Sequence, residues 1–141
     1  MEPEITSSFV ERQPVLLAVV RAASFPQGIG AAWETLEGGL ASLKGRKMYG
    51  VTIPEAGSLV YYAGTEVADE AEAEGLGRST LRLDGGRYVR VKLENWPDHT
   101  DQIGPIFDHL ISNFEMRPGG ATLEYYYRDN ELHLLVPLAD V

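Results

Sequence analysis

The chain has 141 residues, 12 basic and 21 acidic, for a formal net charge of −9 and a pI near 4.7. That length fits one domain with its own core, and 44% hydrophobic with 23% charged residues excludes wholesale disorder. The absence of cysteine excludes thiol catalysis, disulfides and cysteine-ligated zinc, and the acidic balance argues against tight nucleic-acid binding, which needs Lys and Arg against phosphate. No run of about 18 apolar residues and no leader with an apolar h-region stand in the chain, so the expectation is a cytoplasmic protein without a membrane partner.

In chain order, a first strand is predicted around Ile5–Glu11. After Pro14, the β-branched apolar run Val15–Arg21 reads as a buried strand. From Ile29 to Lys44, the residues Ile29, Trp33, Leu36, Leu40 and Leu43 recur at helical spacing, with Gly38 and Gly39 inside the helix and Gly45 as its stop. Lys47–Ile53 and Ser58–Val67 read as a hairpin with a longer loop through Pro54-Glu55-Ala56-Gly57. The acidic run Glu66–Glu74 reads as a solvated loop or short helix. Ser79–Leu83 and Arg87–Leu93 are strands flanking the turn residues Asp84-Gly85-Gly86. Asp98, Thr100 and Asp101 offer caps for a helix striped with Ile103, Ile106, Phe107, Leu110, Ile111 and Phe114, which Arg117-Pro118-Gly119-Gly120 stops. Ala121–Arg128 and Glu131–Leu138 form a last hairpin across Asp129-Asn130.

Strand, helix, strand, strand thus occurs twice, in about 14–67 and 79–138. The helix starts match as well, Ile29-Gly30-Ala31-Ala32-Trp33 against Ile103-Gly104-Pro105-Ile106-Phe107. The predicted fold is α+β: tandem strand–helix–strand–strand modules in one antiparallel sheet with two main helices, pseudo-twofold symmetry and a cleft where the halves meet.

The succession Lys47-Met48-Tyr49-Gly50, Tyr61-Tyr62-Ala63-Gly64-Thr65-Glu66-Val67, Asp84-Gly85-Gly86-Arg87-Tyr88-Val89, Leu123-Glu124-Tyr125-Tyr126 and Leu135-Val136-Pro137-Leu138 resembles the GyrI-like (gyrase-inhibitor-like) small-molecule-binding domain. This domain is related to the effector-binding modules of AraC- and MerR-type transcription regulators. The resemblance spans Pro14 to Leu138 and rests on order and spacing, since each block is a short strand or turn phrase. It implies a single stand-alone domain over residues 1–141, a sensor or sequestering module with no room for a helix-turn-helix before Pro14. It also implies an aromatic pocket with an acidic residue for lipophilic, cationic, multidrug-type ligands, and no cofactor. Two further roles come with it: hydrolysis of cyclopropanoid genotoxins, and inhibition of DNA gyrase. A DNA-binding regulator would then be another protein partner.

Glu124 matches the family's acidic residue in the phrase Glu-x-Tyr. A carboxylate among aromatics is costly to desolvate, and a lipophilic cation compensates it while aromatic faces add about 0.5–2 kcal/mol each. In an enzyme the same Glu124 would be the acid–base residue. A two-residue turn at Asp129-Asn130 would pair Tyr126 with His133 and Glu124 with Leu135. That arrangement leaves Leu123, Tyr125 and Tyr127 on the helix-covered face and turns Glu124 away from the helices or into a separate cleft. Seven tyrosines are more than a small core needs, and Tyr126, Tyr62 and Tyr49 are the chosen pocket residues, with His133 beside Tyr126. Trp96, off the helical stripe, is a ligand-stacking candidate, whereas Trp33 on its stripe reads as core. The three histidines show no metal-binding spacing, and no serine elbow or dinucleotide loop is present.

Overall fold

The computed structural model describes residues 5–139. Its eight strands are β1 (Ser7–Arg12), β2 (Val15–Arg21), β3 (Met48–Glu55), β4 (Ser58–Glu66), β5 (Ser79–Leu83), β6 (Gly86–Glu94), β7 (Thr122–Arg128) and β8 (Glu131–Pro137). They form one antiparallel, curled sheet in the order β1-β6-β8-β7-β3-β4-β2-β5. Helices α1 (Ile29–Gly38) and α3 (Ile103–Asn113) are the longer ones, with a short α2 (Glu70–Gly75) between them. The runs β2-α1-β3-β4 and β6-α3-β7-β8 occupy opposite halves of the sheet and meet at the β7–β3 pair, whereas β5, expected to open the second run, pairs with β2 at the far edge and β1 pairs with β6.

Most elements follow the apolar periodicity, and the departures have identifiable causes. Helix α1 stops at Gly38 rather than near Lys44, because two successive glycines each cost about 1 kcal/mol in a helix interior. Leu40 still packs on the core beyond the helix end, and Leu43 is exposed. The β3–β4 connection is a tight turn rather than a longer loop. Ala56 and Gly57 take φ of 49° and 81°, the primed-turn geometry that matches strand twist, and Pro54 and Glu55 stay in the ladder. The acidic run folds as α2, capped by Asp69, whose carboxylate accepts from the Glu72 amide at 2.9 Å. Its Ala73 is buried against Ala18 and Val67, and Glu72 pairs with Arg46 at 2.9 Å. The expected caps of α3 are absent. Single 3-10 turns at Trp96–Asp98 and Thr100–Gln102 lead into it instead.

Strand alternation sorts the core into two faces. On one, α3 packs over β8, burying Leu110 and Ile106 against Val89, Val91, Leu132, Leu134 and Val136. On the same face α1 packs over β2 and β4, burying Leu36 and Ala32 against Ala63 and Tyr61. The opposite, helix-free face curls around Leu17, Val19, Tyr49, Val51, Leu83, Tyr88, Leu123 and Leu135. Since α1 lies over β4 and β2 and α3 over β8, on either side of the central pair, β3 and β7 face a trough between the helices. No helix among the described residues is long and apolar enough to cross a membrane.

Candidate functional site

The trough is built by alternation on β3, β4 and β7. Gly50 lies opposite Glu124 on one side and Ala63 on the other, and Thr52 lies opposite Tyr61, so Glu124, Gly50 and Tyr61 share the helix-covered face. That overturns the first alternative expected from sequence, in which Glu124 points away from the helices. The cause is a bulge in β7: Arg128 pairs with Glu131, but Tyr126 pairs with Leu132, leaving Tyr127 as the extra residue. Tyr125 is therefore opposite His133, and Glu124 is opposite Leu134 on the α3 side.

Around Glu124 the side chains form a short hydrogen-bonded chain. The Tyr61 hydroxyl donates to Glu124 Oε1 at 2.7 Å, and the Tyr126 hydroxyl donates to the same oxygen at 3.3 Å. Trp33 Nε1 donates to the Tyr61 oxygen at 3.0 Å. Gly50 makes this possible. A Cβ there would stand 2.2 Å from both Glu124 Oε1 and the Tyr61 hydroxyl, so both groups rest directly on bare backbone.

Glu124 keeps some surface open to solvent, yet its carboxyl is hemmed in by protein, and no cation pairs with it among the described residues. Burial accordingly pushes its pKa above the ordinary 4.5, with the Tyr61 and Tyr126 hydrogen bonds pulling back only in part. Burial, and then the neighbouring carboxylate, raises both tyrosines, which stay protonated as donors.

Beside this chain opens a cavity of about 680 Å³, a ligand-sized volume. Trp33, Trp96, Tyr126, Met48 and Ile29 supply its apolar wall. Tyr126 stands edge-on to both indoles, 5.3 Å from Trp33 and 5.2 Å from Trp96 between ring centroids. Glu124 is not part of the cavity lining, but two lining residues connect to it: Tyr126 donates to its carboxylate directly, and Trp33 reaches it through Tyr61. Lys44, Arg46 and Arg128 sit at the mouth, where Glu72 pairs with Arg46 and Arg128 lies over the Tyr127 ring. Trp96 is fixed there by local geometry. Asn95 takes a left-handed φ of 55°, and Trp96 Nε1 donates to the Asp129 carbonyl at 3.1 Å, tying the loop to the β7–β8 turn.

Of the residues expected from sequence, Glu124, Tyr126 and Trp96 thus come together. Tyr49, Tyr62 and His133 do not, because alternation sends them to the opposite face. Tyr49 is buried there, stacked on Tyr125 at 4.7 Å, and Tyr62 packs on the same cluster. His133 stacks on Tyr127 at 4.7 Å rather than neighbouring Tyr126. Burial holds its imidazole below the ordinary value despite Glu131, so its neutral Nε2–H donates to that carboxylate at 2.6 Å. Trp33, expected in the core, is only half-buried and lines the cavity. Tyr61 and Gly50 were missed, although a glycine inside a strand signals close approach. The described residues contain no cluster of three or more metal-ligating side chains.

No protein-family model matches the chain, and comparison with curated proteins finds no match. Solved structures do match. One is the protein SAV2435 bound to tetraphenylphosphonium, with a TM-score of 0.75 and 15% identity over 94% of this chain and 93% of that one. Another is an integron cassette protein from the mobile metagenome of Vibrio cholerae, with a TM-score of 0.62 and 16% identity over 94% of each chain. A third is a hydrolase from Listeria innocua, with a TM-score of 0.56 and 10% identity over 98% of this chain and 94% of that one. At these identities the likeness is one of fold.

Proposed function

We propose that the chain is a GyrI-like module that binds a lipophilic aromatic cation, sensing or sequestering it, with the positive charge held against Glu124. The observation that carries this reading is a carboxyl enclosed by protein with phenol donors and no basic partner, hydrogen-bonded to Tyr126 of an aromatic cavity wall. A bound cation supplies the missing countercharge where the low dielectric makes it count, and indole and phenol faces attract it further. Of the cations at the cavity, Lys44 and Arg128 are exposed and screened and Arg46 is paired with Glu72, so they oppose such a ligand only weakly. Access to the carboxylate comes from a swing of Trp33, which exchanges its bond to Tyr61 for contact with the ligand. The fold of the tetraphenylphosphonium-bound neighbour agrees with this use of the trough. The mirrored strand order agrees with an internal duplication about a pseudo-twofold axis between β7 and β3.

A thermal-shift and calorimetry comparison of tetraphenylphosphonium with neutral triphenylphosphine oxide tests the proposal. The cation should stabilise the wild-type protein and the neutral analogue much less, and Glu124→Gln should abolish the difference. Equal response to both compounds removes the electrostatic reading. The raised pKa of Glu124 also favours a second use of the site, as acid–base group in hydration of a cyclopropanoid electrophile. Product analysis after incubation separates the two, since a pure binder returns the electrophile unchanged.

A further inference from the structure

We infer that the opposite face of the sheet carries a second, independent site for a small oxyanion. A hollow of about 320 Å³ lies there, with Tyr49, Tyr125, Arg12 and Arg90 in its lining. Both arginines project to this face, since Ser8 pairs with Arg90 and Arg12 with Gly86 in the β1–β6 ladder. Among the described residues neither has a carboxylate partner. Arg12 donates to the Tyr49 hydroxyl and lies 5.4 and 5.3 Å from the Tyr49 and Tyr125 ring centroids. Arg90 makes a single long bond, 3.4 Å from a terminal nitrogen to the Ser8 hydroxyl.

The feature that calls for a ligand is Arg90 Nε, which is buried without any hydrogen-bond partner. A buried orphan donor on a cation is costly, and such groups in folded proteins point to an absent acceptor. Two arginines in the lining of one hollow offer forked donors that suit the planar or tetrahedral oxygens of a carboxylate or phosphate. The acidic residues at the hollow do not serve as that acceptor. Glu66 lies 3.9 Å from Lys47, and Glu11 is exposed. In a chain of net charge −9, a hollow where Arg12, Arg90 and Lys47 outnumber Glu11 and Glu66 is a local reversal of sign. Selection by charge and hydrogen bonding, rather than by apolar area, is the chemistry this hollow offers.

The test is a melting-temperature titration with inorganic phosphate and with benzoate, each against sodium chloride at matched ionic strength. Binding predicts a rise of about 4 °C at ten times the dissociation constant for at least one of them, and the more effective anion identifies phosphate or carboxylate as the preferred source. Arg90→Met should lose that rise while the unliganded protein holds or gains stability, because the orphan donor is gone. Arg12→Gln should weaken the rise as a second, independent check. Tetraphenylphosphonium binding should be unchanged in Arg90→Met, since that variant alters only the other face. No rise beyond the chloride control, or a rise that survives Arg90→Met, overturns the proposal.

Discussion

The two faces of the sheet hold the same side chain in opposite electrostatic roles. On the helix-covered face, Tyr61 and Tyr126 donate their hydroxyls to the carboxylate of Glu124. On the other face, Tyr49 accepts from Arg12, whose guanidinium also lies over the Tyr125 ring. The sequence neighbours Tyr125 and Tyr126 are split between the two settings by alternation alone. Phenol is neutral, amphipathic and both donor and acceptor, so it suits an anion on one face and a cation on the other. What distinguishes the faces is the charge each set of tyrosines surrounds and how far burial has isolated it.

The sharpest way to break the contrast is Gly50→Ala. The added methyl would overlap Glu124 and the Tyr61 hydroxyl, so we expect a loss of about 3 kcal/mol in denaturant unfolding and no cation response. The other face should keep its Tyr49–Arg12 contact. Next in size is Glu124→Gln, which keeps an acceptor for both tyrosines and removes a buried charge. The folded carboxyl titrates above 4.5, so its ionisation cost is absent below that pH and grows as the pH rises through the folded value. Melting temperatures of Glu124→Gln and wild type should therefore coincide near pH 4 and separate at pH 7, with the variant higher by a few degrees. Cation affinity of the wild type should climb over the same interval, with proton release measurable by calorimetry in two buffers.

A smaller effect is expected from Tyr126→Phe, which keeps the ring at the cavity wall and removes one donor from Glu124. The pH at which cation binding appears should move upward, because less holds the carboxylate ionised. On the other face, burial pushes the Tyr49 phenol up to about 12, against the opposing pull of Arg12. Its share of stability is intact below the ordinary value of 10 and is lost as the pH rises from there to about 12. Tyr49→Phe should flatten that part of the stability profile, read by circular dichroism.

Most strands could be read from the sequence because β-branched alternation and turn residues mark them, as in Val15–Arg21 and across Asp129-Asn130. The end of α1 was harder. Leu40 and Leu43 continue the helical period beyond Gly38-Gly39, and periodicity records which side chains favour a buried stripe, not whether the backbone can stay helical. Glu124 is legible mainly through the Glu-x-Tyr phrase of the GyrI-like resemblance. Its direction could not be read, since Tyr125, Tyr126 and Tyr127 are chemically alike and nothing in them says which is the extra residue. The choice between Tyr61 and Tyr62 failed for the same reason. Each is a good strand residue, and only the register against Thr52 and Gly50 decides which one meets the carboxylate.

The bulge at Tyr127 has a consequence for how the chain can change length. In a regular hairpin, loss or gain of one residue turns every later side chain through to the other face. Here the extra residue is already excluded from the pairing, between Tyr126–Leu132 and Arg128–Glu131. A deletion of Tyr127 joins two pairs that are already in step, so it should leave Glu124 facing Gly50 and surrender the ring's contacts with His133, Tyr125 and Arg128. Descendant lineages could shorten this hairpin by a single codon and keep the carboxylate where it is. A one-residue deletion between Leu123 and Tyr126 would instead turn it inside out.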